Sequence, residues 1–156
     1  MLNWKLSFEH NESVAADKLI SLFVEVEFEG HKMKDILNIE GLFSVFREQG
    51  YIPMFTCACG TFWCGGYYVK IEHLADGIVL KNGYKPVEKP TENDVIQRFE
   101  YTLTWENLFI IANEILNKLI WLKHTYPDYD VCSGTFGEGL LNRLDNYAAF
   151  LKEFQK

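Results

Sequence analysis

The chain has 156 residues, a length that suits one domain, and we predict a single domain over residues 1–156. Its 22 acidic and 15 basic side chains give a formal net charge of −7. This excess of negative charge argues against binding to a nucleic-acid phosphate backbone or to an anionic membrane surface. We therefore expect neither nucleic acid nor membrane among the partners of this protein.

No segment of the sequence resembles a targeting signal or a membrane span. The N-terminus lacks the basic start, apolar stretch and cleavage site of a secretory signal. The longest apolar segment, 108–122, is interrupted by Asn113, Glu114, Asn117 and Lys118, whereas a membrane span needs about 18 apolar residues. We expect a cytoplasmic protein, in which cysteines are free, catalytic or bound to metal more often than paired in disulfides.

The first part of the chain alternates apolar and polar residues, which is typical of half-buried strands. Two such segments, 4–8 and 20–28, predict a hairpin with a long connection. From Asn38 the apolar residues follow helical spacing through Phe46, and Gly50 is placed as a C-terminal cap.

Strand patterns return after this helix. Residues 51–56 and 67–71 are predicted to be extended, and the turn dipeptide Asp76-Gly77 predicts an antiparallel return over 78–80. A further strand is predicted over 95–103. Because strands and helices do not alternate regularly, the pattern favours an antiparallel sheet over a parallel one.

Two helices are predicted at the end of the chain. Thr104 is a candidate N-cap for the first, whose apolar stripe extends from Leu108 to Leu122. The second is predicted to begin at Thr135, where Glu138 would complete a capping box. The fold class is therefore α+β, with a mostly antiparallel sheet packed against about three helices.

The most distinctive segment contains three of the four cysteines within eight positions. Cys57, Cys59 and Cys64 lie among glycines that allow the backbone to turn sharply. Thiolates are soft ligands for zinc, which prefers four tetrahedral nitrogen or sulfur donors. Zinc is therefore the candidate cofactor and these three cysteines are the candidate ligands. A fourth ligand would come from a distant residue, for which the candidates are Cys132, His73 and His124.

Two other interpretations of this segment remain open. Structural zinc sites usually draw ligands from CxxC pairs, whereas the spacing here is CxC followed by CxxxxC. In the second interpretation the cysteines bind no metal and simply pack as small hydrophobic residues beside Phe55, Phe62 and Trp63. Thiol redox chemistry is the third interpretation, although no lysine or arginine in the segment would lower a thiol pKa.

The segment also resembles a motif of known proteins. Phe55-Thr56-Cys57-Ala58-Cys59-Gly60, followed by Cys64 and Gly66, fits the pattern F-T-C-x-C-G-x-x-x-C-x-G. This pattern is similar to one in small bacterial proteins of uncharacterised function, over about a tenth of the chain. The resemblance implies a bacterial, cytosolic origin and a cysteine loop that is not accidental. It implies no mechanism.

Two functional hypotheses follow. The sequence has no nucleotide-binding loop, metalloprotease motif or hydrolase elbow, so we predict no catalytic residue and favour a non-enzymatic protein. The first hypothesis is a binding module for a basic protein, analogous to an immunity protein. It rests on the net charge and on Glu25, Glu27 and Glu29, which share one face of a predicted strand. The alternative interpretation is that this face is simply a solvated surface of the sheet. The second is a zinc- or thiol-based protein built on the cysteine loop. It ranks second because its ligand set is incomplete.

Overall fold

The computed structural model of the chain describes residues 2–12, 18–135 and 139–154. The strands in this part are β1 (Trp4–Glu12), β2 (Leu19–Phe28), β3 (His31–Lys32), β4 (Ile36–Leu37), β5 (Gly50–Thr56), β6 (Tyr67–His73), β7 (Gly77–Tyr84), β8 (Val95–Thr104) and β9 (Asp130–Ser133). The α-helices are α1 (Ile39–Ser44), α2 (Phe62–Gly65), α3 (Trp105–Thr125) and α4 (Leu144–Phe154), and 3-10 turns cover Glu92–Asp94 and Leu141–Arg143.

The first sheet is centred on β2. One edge of β2 pairs antiparallel with β1 along its whole length, from Trp4 opposite Phe28 to Glu12 opposite Ile20. The other edge pairs antiparallel with β3 and parallel with β9. The predicted hairpin of the first two strands is confirmed. The parallel pair with β9 brings a distant part of the chain onto the same sheet.

The second sheet has five antiparallel strands in the order β4-β5-β6-β7-β8. The turn at Asp76-Gly77 connects β6 to β7 as predicted, and the strand predicted over 95–103 is β8. The register shifts between β5 and β6, between β6 and β7, and at Gly83 between β7 and β8. These irregularities bend the sheet locally.

One cluster of buried hydrophobic residues joins both sheets to α1, α3 and α4. The apolar stripe of α3 is buried at Leu108, Ile111, Ala112, Ile115, Leu116, Leu119 and Leu122. The α+β prediction is therefore confirmed, with antiparallel pairing everywhere in the described residues except between β2 and β9. The helix of 21 residues contributes to the cluster along most of its length.

Two helix boundaries differ from the sequence predictions. Helix α1 ends at Ser44, and Gly50 begins β5 opposite Ile71 instead of capping a helix. Helix α4 begins at Leu144 and not at Thr135, whose N–H is bonded to the carbonyl of Ala58 in another part of the fold. In both places, pairing with a distant segment replaces the local helical pattern. The proposed capping partner Glu138 lies outside the described residues.

The predicted N-cap of α3 is present and supplies a stability test. The hydroxyl of Thr104 accepts a hydrogen bond of 3.0 Å from the N–H of Asn107. We expect Thr104→Ala to lower the free energy of unfolding by about 1 kcal/mol, because it removes this bond from the first turn. Urea denaturation monitored by circular dichroism measures the change. Thr104→Ser retains the hydroxyl and serves as the control; an equal loss in both variants would contradict the capping role.

Candidate metal centre

The three clustered cysteines lie on the connection from β5 to β6. Cys57 directly follows β5, and the N–H of Gly60 donates to the Cys57 carbonyl at 2.9 Å. Gly60 has φ +82°, a left-handed conformation that glycine adopts without strain and that turns the chain back. Cys64 is carried by the single turn of α2, and Gly66 then leads into β6. Local turns therefore determine where each thiol lies.

This connection brings the three sulfur atoms together. The Sγ atoms of Cys57, Cys59 and Cys64 all lie within 4.8 Å of one another, and the first two are 2.7 Å apart. Cys57 and Cys59 are half-buried, whereas Cys64 is exposed. The three thiols predicted as ligands are thus close enough to hold a metal ion.

The candidate fourth ligands lie elsewhere in the fold. Cys132 is buried in β9, where burial raises its thiol pKa. His73 ends β6 with its Nε2 2.7 Å from the carbonyl oxygen of Val45, and His124 is exposed near the end of α3. Within residues 2–12, 18–135 and 139–154, the group of metal-ligating side chains consists of the three cysteines alone.

Hydrogen bonds within the loop separate the acidities of two thiols. The Cys57 thiol is hydrogen-bonded to Cys59 and, together with the N–H of Thr61 at 3.5 Å, lowers the pKa of Cys59 to about 7. Burial, followed by the same sulfur–sulfur bond, raises the pKa of Cys57 to about 11. A thiol and a backbone amide lower this pKa without the lysine or arginine that the segment lacks, which is why the shift could not be predicted from the residue types.

The two residues that follow β9 connect the cysteine loop to the first sheet by backbone hydrogen bonds. The N–H of Thr135 donates to the carbonyl of Ala58 at 3.0 Å, and the N–H of Gly134 donates to the carbonyl of Leu22 at 2.8 Å. A Cβ atom on Gly134 would lie 2.7 Å from the backbone nitrogen of Gly60 and 2.8 Å from the oxygen of Ala58. Gly134 therefore permits a close backbone approach that sequence reasoning missed, since more than seventy positions separate these segments.

The aromatic residues around the loop divide between core and surface. Phe55 is 1% exposed and stacks on Tyr67 with ring centroids 5.0 Å apart. Trp63 is 61% exposed, although the centroid of its ring lies 5.2 Å from that of Phe62 and 6.4 Å from that of Tyr68. The interpretation in which the cysteines simply pack beside all three aromatic residues therefore does not describe this loop. The exposed indole of Trp63 directly precedes Cys64, so its fluorescence is expected to respond to changes at that thiol.

The acidic face of β2 is interleaved with lysines. Glu25 forms an ion pair with Lys32, and Lys5 lies opposite Glu27 across the β1–β2 pair. Exposed pairs of this kind contribute little stability but neutralise part of the local charge. Binding of a basic protein to this face stays a prediction.

Comparison with known proteins gives no assignment: no family model, curated protein sequence or solved structure matches the chain. The resemblance of the cysteine motif to small bacterial proteins therefore stays a prediction. Within the described part of the chain, every helix is too short or too polar to cross a membrane.

The lowered pKa of Cys59 predicts how the reactivity of this thiol depends on pH in metal-free protein. Its pKa is lowered to about 7 from the ordinary 9.0, so half of it is thiolate near neutral pH, and the thiolate is the nucleophile. We expect the alkylation rate of Cys59 by iodoacetamide to rise through a midpoint near pH 7. Peptide mapping by mass spectrometry after EDTA treatment measures this rate.

The matched variant for this experiment is Cys57→Ala, which removes the largest cause of the shift. Its alkylation midpoint at Cys59 is expected to move to higher pH, toward the ordinary value. An unchanged midpoint in Cys57→Ala would show that the thiol–thiol hydrogen bond does not set the acidity of Cys59.

The close approach at Gly134 is testable against a second glycine with the same backbone conformation. Gly134 has φ +76° and Gly30 has φ +78°, but a Cβ on Gly30 meets nothing within 4 Å. We expect Gly30→Ala to lower the free energy of unfolding by about 1–2 kcal/mol through backbone strain. Gly134→Ala should cost about 1–3 kcal/mol more, because overpacking adds to the strain. Equal losses in urea denaturation would contradict the close approach.

Proposed function

We propose that this chain is a zinc-thiolate protein in which Cys57, Cys59 and Cys64 supply three ligands to one zinc ion. The observation that carries the proposal is the convergence of three sulfur atoms within 4.8 Å on one short connection. Cysteines that merely fill a core have no reason to converge, and two of these are half-buried while the third is exposed.

The dimensions of the cluster support a tetrahedral metal. Zinc–sulfur bonds of about 2.3 Å place neighbouring sulfurs about 3.8 Å apart around a tetrahedral ion. All three sulfurs lie within 4.8 Å of one another, a range that includes this value, and the sulfurs of Cys57 and Cys59, at 2.7 Å, must separate by about 1 Å to reach it. Thiols bound to a metal lose their protons, so the ion replaces the hydrogen bond that now joins this pair.

Three protein ligands leave one tetrahedral position for a donor from outside the cluster. The exposure of Cys64 supports a fourth position that faces solvent, to which water or another small donor would have access. Three thiolates around Zn²⁺ give an anionic centre, which activates bound water less than a centre with neutral histidines. The donor set therefore favours a site that holds metal over one that hydrolyses a substrate.

The position of the loop gives the bound ion a structural consequence. Cys57 follows β5 and Cys64 lies just before β6, so an ion shared by the two closes the connection between these strands. The hydrogen bond between Thr135 and Ala58 links the same loop to the end of β9. An ion in this loop stabilises the native state because the unfolded chain does not present the three sulfurs together.

Metal titration is the direct test of the proposal. We expect one equivalent of Co²⁺ to give a sulfur-to-metal charge-transfer band and zinc to displace it. Cys59→Ser should weaken zinc binding by more than about 100-fold, because loss of a ligand exceeds the 10–100-fold effect of altering its support. Affinity should rise with pH, since the proton of Cys57, whose pKa is raised to about 11, must leave. Tryptophan fluorescence follows the same titration, and the part of the change that is lost in Trp63→Phe comes from Trp63.

Cys132→Ala is the matched control, because Cys132 lies outside the cluster. This variant should bind one equivalent of metal with unchanged affinity and keep the zinc-dependent rise in unfolding temperature. Freely titrating thiols in native protein, with less than one zinc per chain by elemental analysis, would end the zinc assignment. The chain would then be a thiol protein only.

A further inference from the structure

Strand β1 forms an edge of the first sheet. Within the described residues its strand partner is β2 alone, and that pairing is regular over all nine residues from Trp4 to Glu12. The edge away from β2 therefore presents a long row of backbone donors and acceptors. Such an edge is a template for pairing with another strand unless charges, proline or bulges block it.

The side chains of β1 are complementary to a second copy of the same strand. In an antiparallel pair centred on Ser7, Lys5 lies opposite Glu9 of the other copy, and the reverse pair forms by symmetry. On the opposite face, Leu6 then lies opposite Phe8. Shifting the centre by one residue in either direction, to Leu6 or Phe8, removes both charge pairs, so one register is favoured.

The apolar face of β1 also gains from this pairing. Trp4, Leu6 and Phe8 pack against the core but remain only partly buried, whereas Lys5, Ser7 and Glu9 are exposed on the other face. Pairing two copies joins their four-stranded sheets into one sheet of eight strands and extends the half-buried apolar face across the symmetry axis.

Among the described residues, β8 is the longer of the two edge strands of the second sheet, and its pairing is less regular than that of β1. Strand β8 pairs with β7 through register shifts on both sides of Gly83, and such irregularities twist an edge away from further pairing. The β1–β2 pair has no shift. We propose that two copies of this chain associate through antiparallel pairing of their β1 strands about a two-fold axis at Ser7.

Charge reversal tests both the partner and the register. Sedimentation of the wild-type chain at physiological ionic strength should give twice the mass of one 18.2 kDa chain. Lys5→Glu and Glu9→Lys should each weaken self-association about tenfold or more, because each converts two attractive pairs into repulsive ones. An equimolar mixture of the two variants should regain wild-type association, since position 5 of each chain then faces the opposite charge at position 9 of the unlike chain.

Two further variants separate association from folding and β1 from β8. Ser7→Lys places two lysines on the axis but lies beside Glu25 within its own chain, so it should abolish the dimer while the chain keeps the circular dichroism and cooperative unfolding of a folded monomer. Arg98→Glu changes the exposed face of β8 and should leave the dimer intact. Three results would each overturn the proposal. They are wild-type protein that stays monomeric as its concentration is raised, a mixture of the two charge variants that does not associate, and a dimer that is lost only in Arg98→Glu. Metal-free protein should behave identically, so this result is independent of the zinc site.

Discussion

The burial of β2 is the constraint on which the rest of the structure depends. Ile20, Leu22 and Val24 are at most 1% exposed, and each contributes about 1.5–3 kcal/mol when buried. Both edges of this strand are paired: β1 pairs with one edge, and β3 and β9 pair with different parts of the other. Because a buried strand must satisfy its backbone groups, β9 cannot leave this position without exposing polar atoms to an apolar core.

The candidate metal centre depends on that same constraint. The pairing of β9 with β2 continues in the bond from Gly134 to Leu22, and it brings Gly134 against Gly60 of the cysteine loop. The loop would otherwise be a short surface connection of a few polar bonds. With β9 beside it, a glycine turn and a single helical turn keep three sulfur atoms close together, half-exposed at the surface.

Sequence reasoning was accurate where a pattern is local. The alternation at Trp4–Phe8, the turn at Asp76-Gly77 and the cap at Thr104 each depend on residues within a few positions, and each is present in the structure. It was inaccurate where a distant segment competes. Thr135 bonds to Ala58 instead of starting a helix, and Gly50 begins a strand, because long-range hydrogen bonds outweigh a weak local helical preference.

By itself, the sequence determined the fold class and the identity of the three clustered thiols, because period-two alternation and close cysteine spacing act over short distances. Only the tertiary structure decided that Cys132, His73 and His124 lie outside the cluster, and that a thiol and an amide lower the pKa of Cys59. Within the described ranges, the tertiary structure also left β1 at an edge of its sheet. The hydrogen bonds at Cys59 depend on the conformation of residues 57–61, which residue spacing alone does not specify. Ligand sets and sheet edges depend on which distant segments pack together, and spacing along the chain carries no information about that packing.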